Sequence, residues 1–166
     1  MSAMDNEAEP EIPHRPHRKP LALVNARLVD PASGLDAFGG LLIADGTIAD
    51  LGMHITEGSI EGAESLDCGG RTVAPGLIDM MVFCGEPGHE HRETLATASR
   101  AAAAGGVTTI CCMPNTDPVI DDVALVDFVL RRARDTALVH VHPMAAMTRD
   151  LMGEDMAELG LLRDAG

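Results

Sequence analysis

Apolar and polar positions alternate in short runs through the first half of this chain and in longer blocks through the second, with the change near Pro75. Leu21–Leu28 has the length and alternation of a strand, and Pro31-Ala32-Ser33-Gly34 reads as a turn. Gly40–Ala44 and Thr47–Leu51 are apolar runs separated by Asp45-Gly46, a pair that favours the left-handed backbone of a type I′ turn. They predict a hairpin. Leu66–Ala74 predicts a further strand, turn and strand around Gly69-Gly70. Residues 21–75 therefore read as a small all-β domain.

After Pro75 the rhythm becomes strand, helix, strand, helix. Leu77–Phe83, Val107–Met113 and Leu138–Met144 are apolar runs of strand length. Between the first two, His91–Ala104 is rich in Ala, Thr and Glu and stops at Gly105-Gly106, which predicts a helix. Asp121 and Asp122 can cap a second helix running to about Asp135, with Val123, Val126, Val129, Leu130 and Ala133 on its apolar side. Glu154–Asp164 predicts the start of a third. Buried strands alternating with helices indicate a parallel sheet in an α/β protein. Three β/α units do not close a barrel, which takes eight strands and typically about 250 residues. A small three-stranded open domain is the alternative arrangement, and it would leave its last strand as an exposed edge.

Composition narrows the functional classes. Residues 1–20 carry four prolines and mixed charge and are expected to form a disordered tail; its cluster His14–Lys19 is the only basic one. With no apolar stretch at the N-terminus and no run near the roughly 20 residues of a membrane span, the expectation is a cytoplasmic protein without a signal peptide. A net charge of −14 argues against nucleic acid and anionic membranes as partners. Three Phe with no Trp or Tyr argue against recognition of bases or sugars by stacking. The four cysteines, Cys68, Cys84, Cys111 and Cys112, show neither zinc-finger nor disulfide-framework spacing and read as buried thiols.

The stretch Leu66-Asp-Cys-Gly-Gly-Arg-Thr-Val-Ala-Pro-Gly-Leu-Ile-Asp79 resembles the start of the barrel in the amidohydrolase superfamily. Glu86-Pro87-Gly88, Glu90-His91-Arg92-Glu93-Thr94, Ser99–Gly106 and Cys112-Met-Pro-Asn-Thr116 follow in order and resemble the dihydroorotase family, whose members cyclise carbamoyl aspartate in pyrimidine synthesis. The resemblance covers Leu21 to Gly166. It implies an incomplete (β/α)8 TIM-type barrel, its first three β/α units at 76–166, preceded by a small β domain at 21–75 that forms the N-terminal part of a composite β-sandwich.

The resemblance also implies a zinc site. In the family the first barrel strand ends in Asp-x-His-x-His, whose histidines bind the catalytic zinc, and an arginine two residues further holds the substrate carboxylate. Here Asp79 is kept, but Met81 and Phe83 fill the histidine positions and Gly85 fills the arginine position. Phe offers no donor and a Met thioether is a poor zinc ligand, whereas a catalytic zinc site has about three N, S⁻ or O ligands plus water. Gly85 cannot replace a guanidinium that grips a carboxylate with two hydrogen bonds. The expectation is that this chain binds no cofactor, although the family uses zinc. One substrate-binding position is matched, Asn115 in Met113-Pro-Asn-Thr; residual carboxylate binding and a turn-forming Asn after Pro114 both remain open.

Other metal-like spacings are weaker. His89-x-His91 falls in the loop before the first helix, and two ligands without a third do not make a site. His140-x-His142 shares one face of a strand, which points either to the barrel interior or to the helices. His14 and His17 lie in the tail. Cys84 is expected to point away from the face of Phe83. Three functions are consistent with this pattern: a non-catalytic dihydroorotase-like partner of aspartate transcarbamoylase in an oligomeric assembly, a zinc-dependent cyclic amide hydrolase with unusual ligands, or a truncated remnant without function.

Overall fold

The computed structural model describes residues 19–166; residues 1–18 of the tail, with His14 and His17 of its basic cluster, lie outside the described residues. The chain divides between Pro75 and Gly76 into two compact units.

The first unit is a five-stranded sheet. Its strands are β1 (Leu21–Asp30), β2 (Leu35–Ala44), β3 (Thr47–Gly52), β4 (Glu64–Asp67) and β5 (Thr72–Val73). Strands β3, β2, β1 and β4 lie in that order, and β5 also pairs with β1. The β2–β3 hairpin turns at Asp45-Gly46, both residues with positive φ (50° and 78°), as the sequence predicts. In β1 the even-numbered apolar residues do not share one face. A bulge between Leu23 and Ala26, with Asn25 at φ 53°, inserts an extra residue. Ala22 and Val24 consequently pack with Ile55, whereas Ala26 and Leu28 pack with Leu41 on the other side. Asn25 is held by its side-chain amide, which donates to Asp67 at 3.0 Å. The Gly69 N–H, and after it the Asn25 amide, hold the Asp67 carboxyl below its ordinary value.

The second unit is a three-stranded parallel sheet, β6 (Leu77–Val82), β7 (Val107–Cys112) and β8 (His140–Pro143). One face carries α1 (Leu95–Ala104), α2 (Val123–Thr136) and α3 (Leu159–Ala165). Ile110, Cys112 and Val141 from the strands meet Leu95, Val126, Val129, Ala133 and Leu162 from the helices in a continuous core. The α2 helix starts where the sequence places it, with the Asp122 carboxylate accepting from Ala124 N at 2.8 Å.

Two helices start later than predicted. The α1 helix begins at Leu95 rather than His91, because Thr94 and Thr97 form a reciprocal capping box and residues 88–93 are spent in turns. Replacing Thr94 with alanine is expected to cost about 1 kcal/mol of unfolding free energy, read as a lower urea midpoint with unchanged slope. The α3 helix begins at Leu159 rather than near Glu154. The preceding residues form a 3-10 turn at Arg149–Leu151 and a Thr148–Met156 bridge, with Asp150 and Leu151 at positive φ.

Candidate functional site

The carboxyl ends of β6, β7 and β8 lie along one edge of the parallel sheet, the edge where α/β folds build their sites. Backbone bonds continue the ladder past the strands: Met113 N donates to Val82 O and Met144 N to Cys112 O, each at 2.9 Å. Residues 83–88 and 113–118 therefore leave the sheet side by side. Asp117 N donates to Pro87 O at 3.1 Å and ties the two loops together.

At the end of β6 the exposed Asp79 carboxylate accepts from Met81 N at 3.0 Å, and Met81 itself is 74% exposed. Phe83 packs against the Arg92 guanidinium, 4.8 Å from its ring centre, and against the His89 ring at 5.9 Å. A cation over an aromatic face is electrostatically favourable. Phe83, which has no donor atom of its own, is thus engaged by two neighbours.

Gly85 is required by the path of the backbone. Its φ is +69°, and a Cβ placed there would fall on the carbonyl of Glu93 and lie 3.1 Å from that of His89. The chain turns so tightly that His89 N donates to Gly85 O at 2.7 Å. No L side chain fits this conformation without moving the loop. Glu86, next in sequence, is buried: its carboxylate accepts from Leu95 N at 3.1 Å and from the Arg132 guanidinium at 3.2 and 3.3 Å. It joins the loop to the first turn of α1 and to α2.

Asn115 is exposed at the end of the β7 segment, and its side chain has no hydrogen-bond partner among the described residues. The neighbouring turn is instead secured by Thr116, whose hydroxyl donates to Pro118 O at 2.7 Å. His140 and His142 are exposed on the sheet face opposite the helices, across from Thr109 and Cys111, while Val141 between them is buried. His89 and His91 have ring centres 6.2 Å apart. The Glu90 carboxyl between them is held below its ordinary value, chiefly by its own N–H and that of Gly88. Among the described residues no group of three His, Cys, Asp or Glu side chains is placed to hold a metal ion. Met81 and Phe83 do not fit a zinc centre at the end of β6, because neither supplies a ligand of the kind zinc takes.

The cysteines depart from the sequence reading. Cys84 is buried, but it forms a disulfide with Cys112. Cys68 and Cys111 are free and only half-buried. Spacing in sequence gives no sign of this pairing; the parallel register of β6 and β7 creates it.

Among the described residues no helix is long and apolar enough to cross a membrane. Residues 70–166 match the family model described as Dihydro-orotase-like. Curated relatives include a dihydroorotase of Geobacter sp. (strain M21), 45% identical over 88% of this chain, and one of Solibacter usitatus, 44% identical over 89%. The chain spans about a third of the length of these relatives, 34% in each. Among solved structures, an L-hydantoinase (dihydropyrimidinase) from Arthrobacter aurescens matches with a TM-score of 0.76 and 25% identity. The match takes in 90% of this chain and 32% of that one. A D-hydantoinase from Thermus sp. matches with a TM-score of 0.62 over 87% of this chain and 30% of that one, and at 24% identity it bears on the fold alone. The α/β architecture, the motifs from Gly70 onward and the matched family model together place this chain in the dihydro-orotase-like family.

Proposed function

We propose that this chain belongs to a non-catalytic dihydroorotase-like protein of pyrimidine biosynthesis, cytoplasmic and acting as a structural partner of aspartate transcarbamoylase in an oligomeric assembly. On this reading residues 76–166 are the first three β/α units of an amidohydrolase barrel and residues 21–75 are part of its small β domain. The open apolar edge of β6, where Leu77, Ile78, Met80 and Met81 are all more than 60% exposed, supports a sheet that continues into further strands.

The observation that carries the non-catalytic reading is the end of β6. Met81 and Phe83 supply no metal ligand, and Gly85 adopts a backbone in which an arginine has no place. A catalytic zinc would lower the pKa of bound water to about 7 and polarise the amide carbonyl, and neither Met81 nor Phe83 offers it a ligand. Asn115 is left as the residual carboxylate-binding group, with its amide free at the mouth.

The role in assembly is tested by purifying aspartate transcarbamoylase from source cells with and without the gene for this chain. Co-purification of the two, and loss of transcarbamoylase activity or assembly in the deletion, are expected. A transcarbamoylase that is fully active and stable alone overturns the partner role.

A second reading, a zinc-dependent cyclic amide hydrolase with unusual ligands, is favoured by one arrangement. His140 and His142 present two imidazoles on the open face of β8. It predicts that replacing both histidines with alanine abolishes zinc binding and turnover of dihydroorotate by the natural full-length protein. The non-catalytic reading predicts that neither quantity changes from a baseline near zero.

A further inference from the structure

Cys112 ends β7, and Cys84 stands two residues past the end of β6, next to Phe83. The parallel pairing sets their Cα atoms 5.8 Å apart, at the usual separation for a disulfide, and the two are bonded. Both are 1% exposed within the core under the helices. We propose that this bond is an oxidation-dependent fastening that holds the carboxyl end of β6 against β7 where relatives would hold a metal. In that role it fixes the loops that begin at Phe83 and Met113.

The need for such a fastening is visible in the pairing of β6. Its register with β7 is interrupted between Asp79 and Val82, and among the described residues its other edge has no strand beside it. Past the interruption, Val82 pairs with Cys112 and Met113 N reaches Val82 O; the next residue but one is Cys84. The disulfide therefore clamps the segment just before the left-handed turn at Gly85. Without it, a short edge segment with no metal to organise it would be held by few backbone bonds.

The bond forms by exchange with a small-molecule disulfide such as oxidised glutathione. The thiolate of one cysteine attacks the glutathione disulfide and expels one glutathione thiolate. The thiolate of the other cysteine then attacks the mixed disulfide and expels the second. Two electrons pass from the cysteine pair to glutathione, and the two thiol protons leave with it as two molecules of reduced glutathione. Burial shields both sulfurs, so reduction requires the strand end to open first.

The proposal rests on the metal-free reading of β6, but its test reads a different quantity. The natural full-length protein is alkylated with iodoacetamide in denaturant without reductant and digested with trypsin. The expected product is peptide 72–92 joined to peptide 101–131, with Cys111 alkylated and Cys112 in the link. Thermal unfolding is expected to fall by several degrees with dithiothreitol and by the same amount in Cys84→Ser, which dithiothreitol then leaves unchanged. Full alkylation of Cys84 and Cys112, persisting after incubation with oxidised glutathione, overturns the proposal whether or not the variant folds. So does an unfolding midpoint that does not move once the protein has been unfolded and refolded in the reductant. Zinc assayed in the same sample separates the two ideas: a linked peptide together with bound zinc would refute the metal-free reading alone.

Discussion

A chain carrying Gly85→Arg is expected to be less stable by about 2–5 kcal/mol, and no better at holding a carboxylate. The left-handed backbone at φ +69° costs an L residue about 1–2 kcal/mol. The Cβ falls on the Glu93 carbonyl, and relieving such an overlap in packed surroundings adds about 1–3 kcal/mol. The carbonyl cannot retreat freely, because Glu93 immediately precedes the Thr94 cap of α1. Urea denaturation of the variant beside wild type checks the magnitude. A variant as stable as wild type would mean that the loop reopens easily and that its backbone does not require a glycine at position 85.

Glu86→Ala is expected to cost about 3 kcal/mol, with the damage centred on the loops rather than spread over the sheet. Its carboxylate is 3% exposed and holds two partners at once, Leu95 N and the Arg132 guanidinium. Losing a hydrogen bond to a charged group costs about 1.5–3 kcal/mol. Leu95 is fully buried, so its N–H would also lose a partner that solvent does not readily replace. Arg132 is nearly half exposed and regains water, which keeps the loss at the low end for breaking a buried ion pair. Hydrogen exchange should show the amides of residues 85–95 losing protection while those of β7 keep theirs. Uniform loss across the unit would mean that Glu86 supports the core rather than the loop.

Several of these features could be read from the residues alone. Asp45-Gly46 specified its hairpin because few other pairs accept positive φ at both positions, and Asp122 specified the start of α2 through its side-chain cap. The start of α1 was obscured because Thr97 replaces the Glu or Gln of the usual capping box, and the Ala-rich pattern gave no other sign of where the helix begins. The bulge at Asn25 was hidden for a related reason. Ala22, Val24, Ala26 and Leu28 look like a single alternating face, and only the register against β2 reveals that the face changes.

The candidate site divides in the same way. The departures at Met81, Phe83 and Gly85 from the pattern that the resemblance implies are visible in the sequence. The stacking of Phe83 on Arg92, the left-handed turn at Gly85 and the Cys84–Cys112 bond depend on residues brought together by strand register and loop closure. No spacing rule contains them.

The most direct test of the non-catalytic reading is the rate of dihydroorotate ring opening by the natural full-length protein, isolated from transcarbamoylase and assayed in zinc-containing buffer. With no ligand at Met81 or Phe83 and no room for an arginine at Gly85, the rate is expected to equal that of buffer alone. Zinc-dependent turnover above that background, abolished by a chelator and restored by zinc, would contradict it.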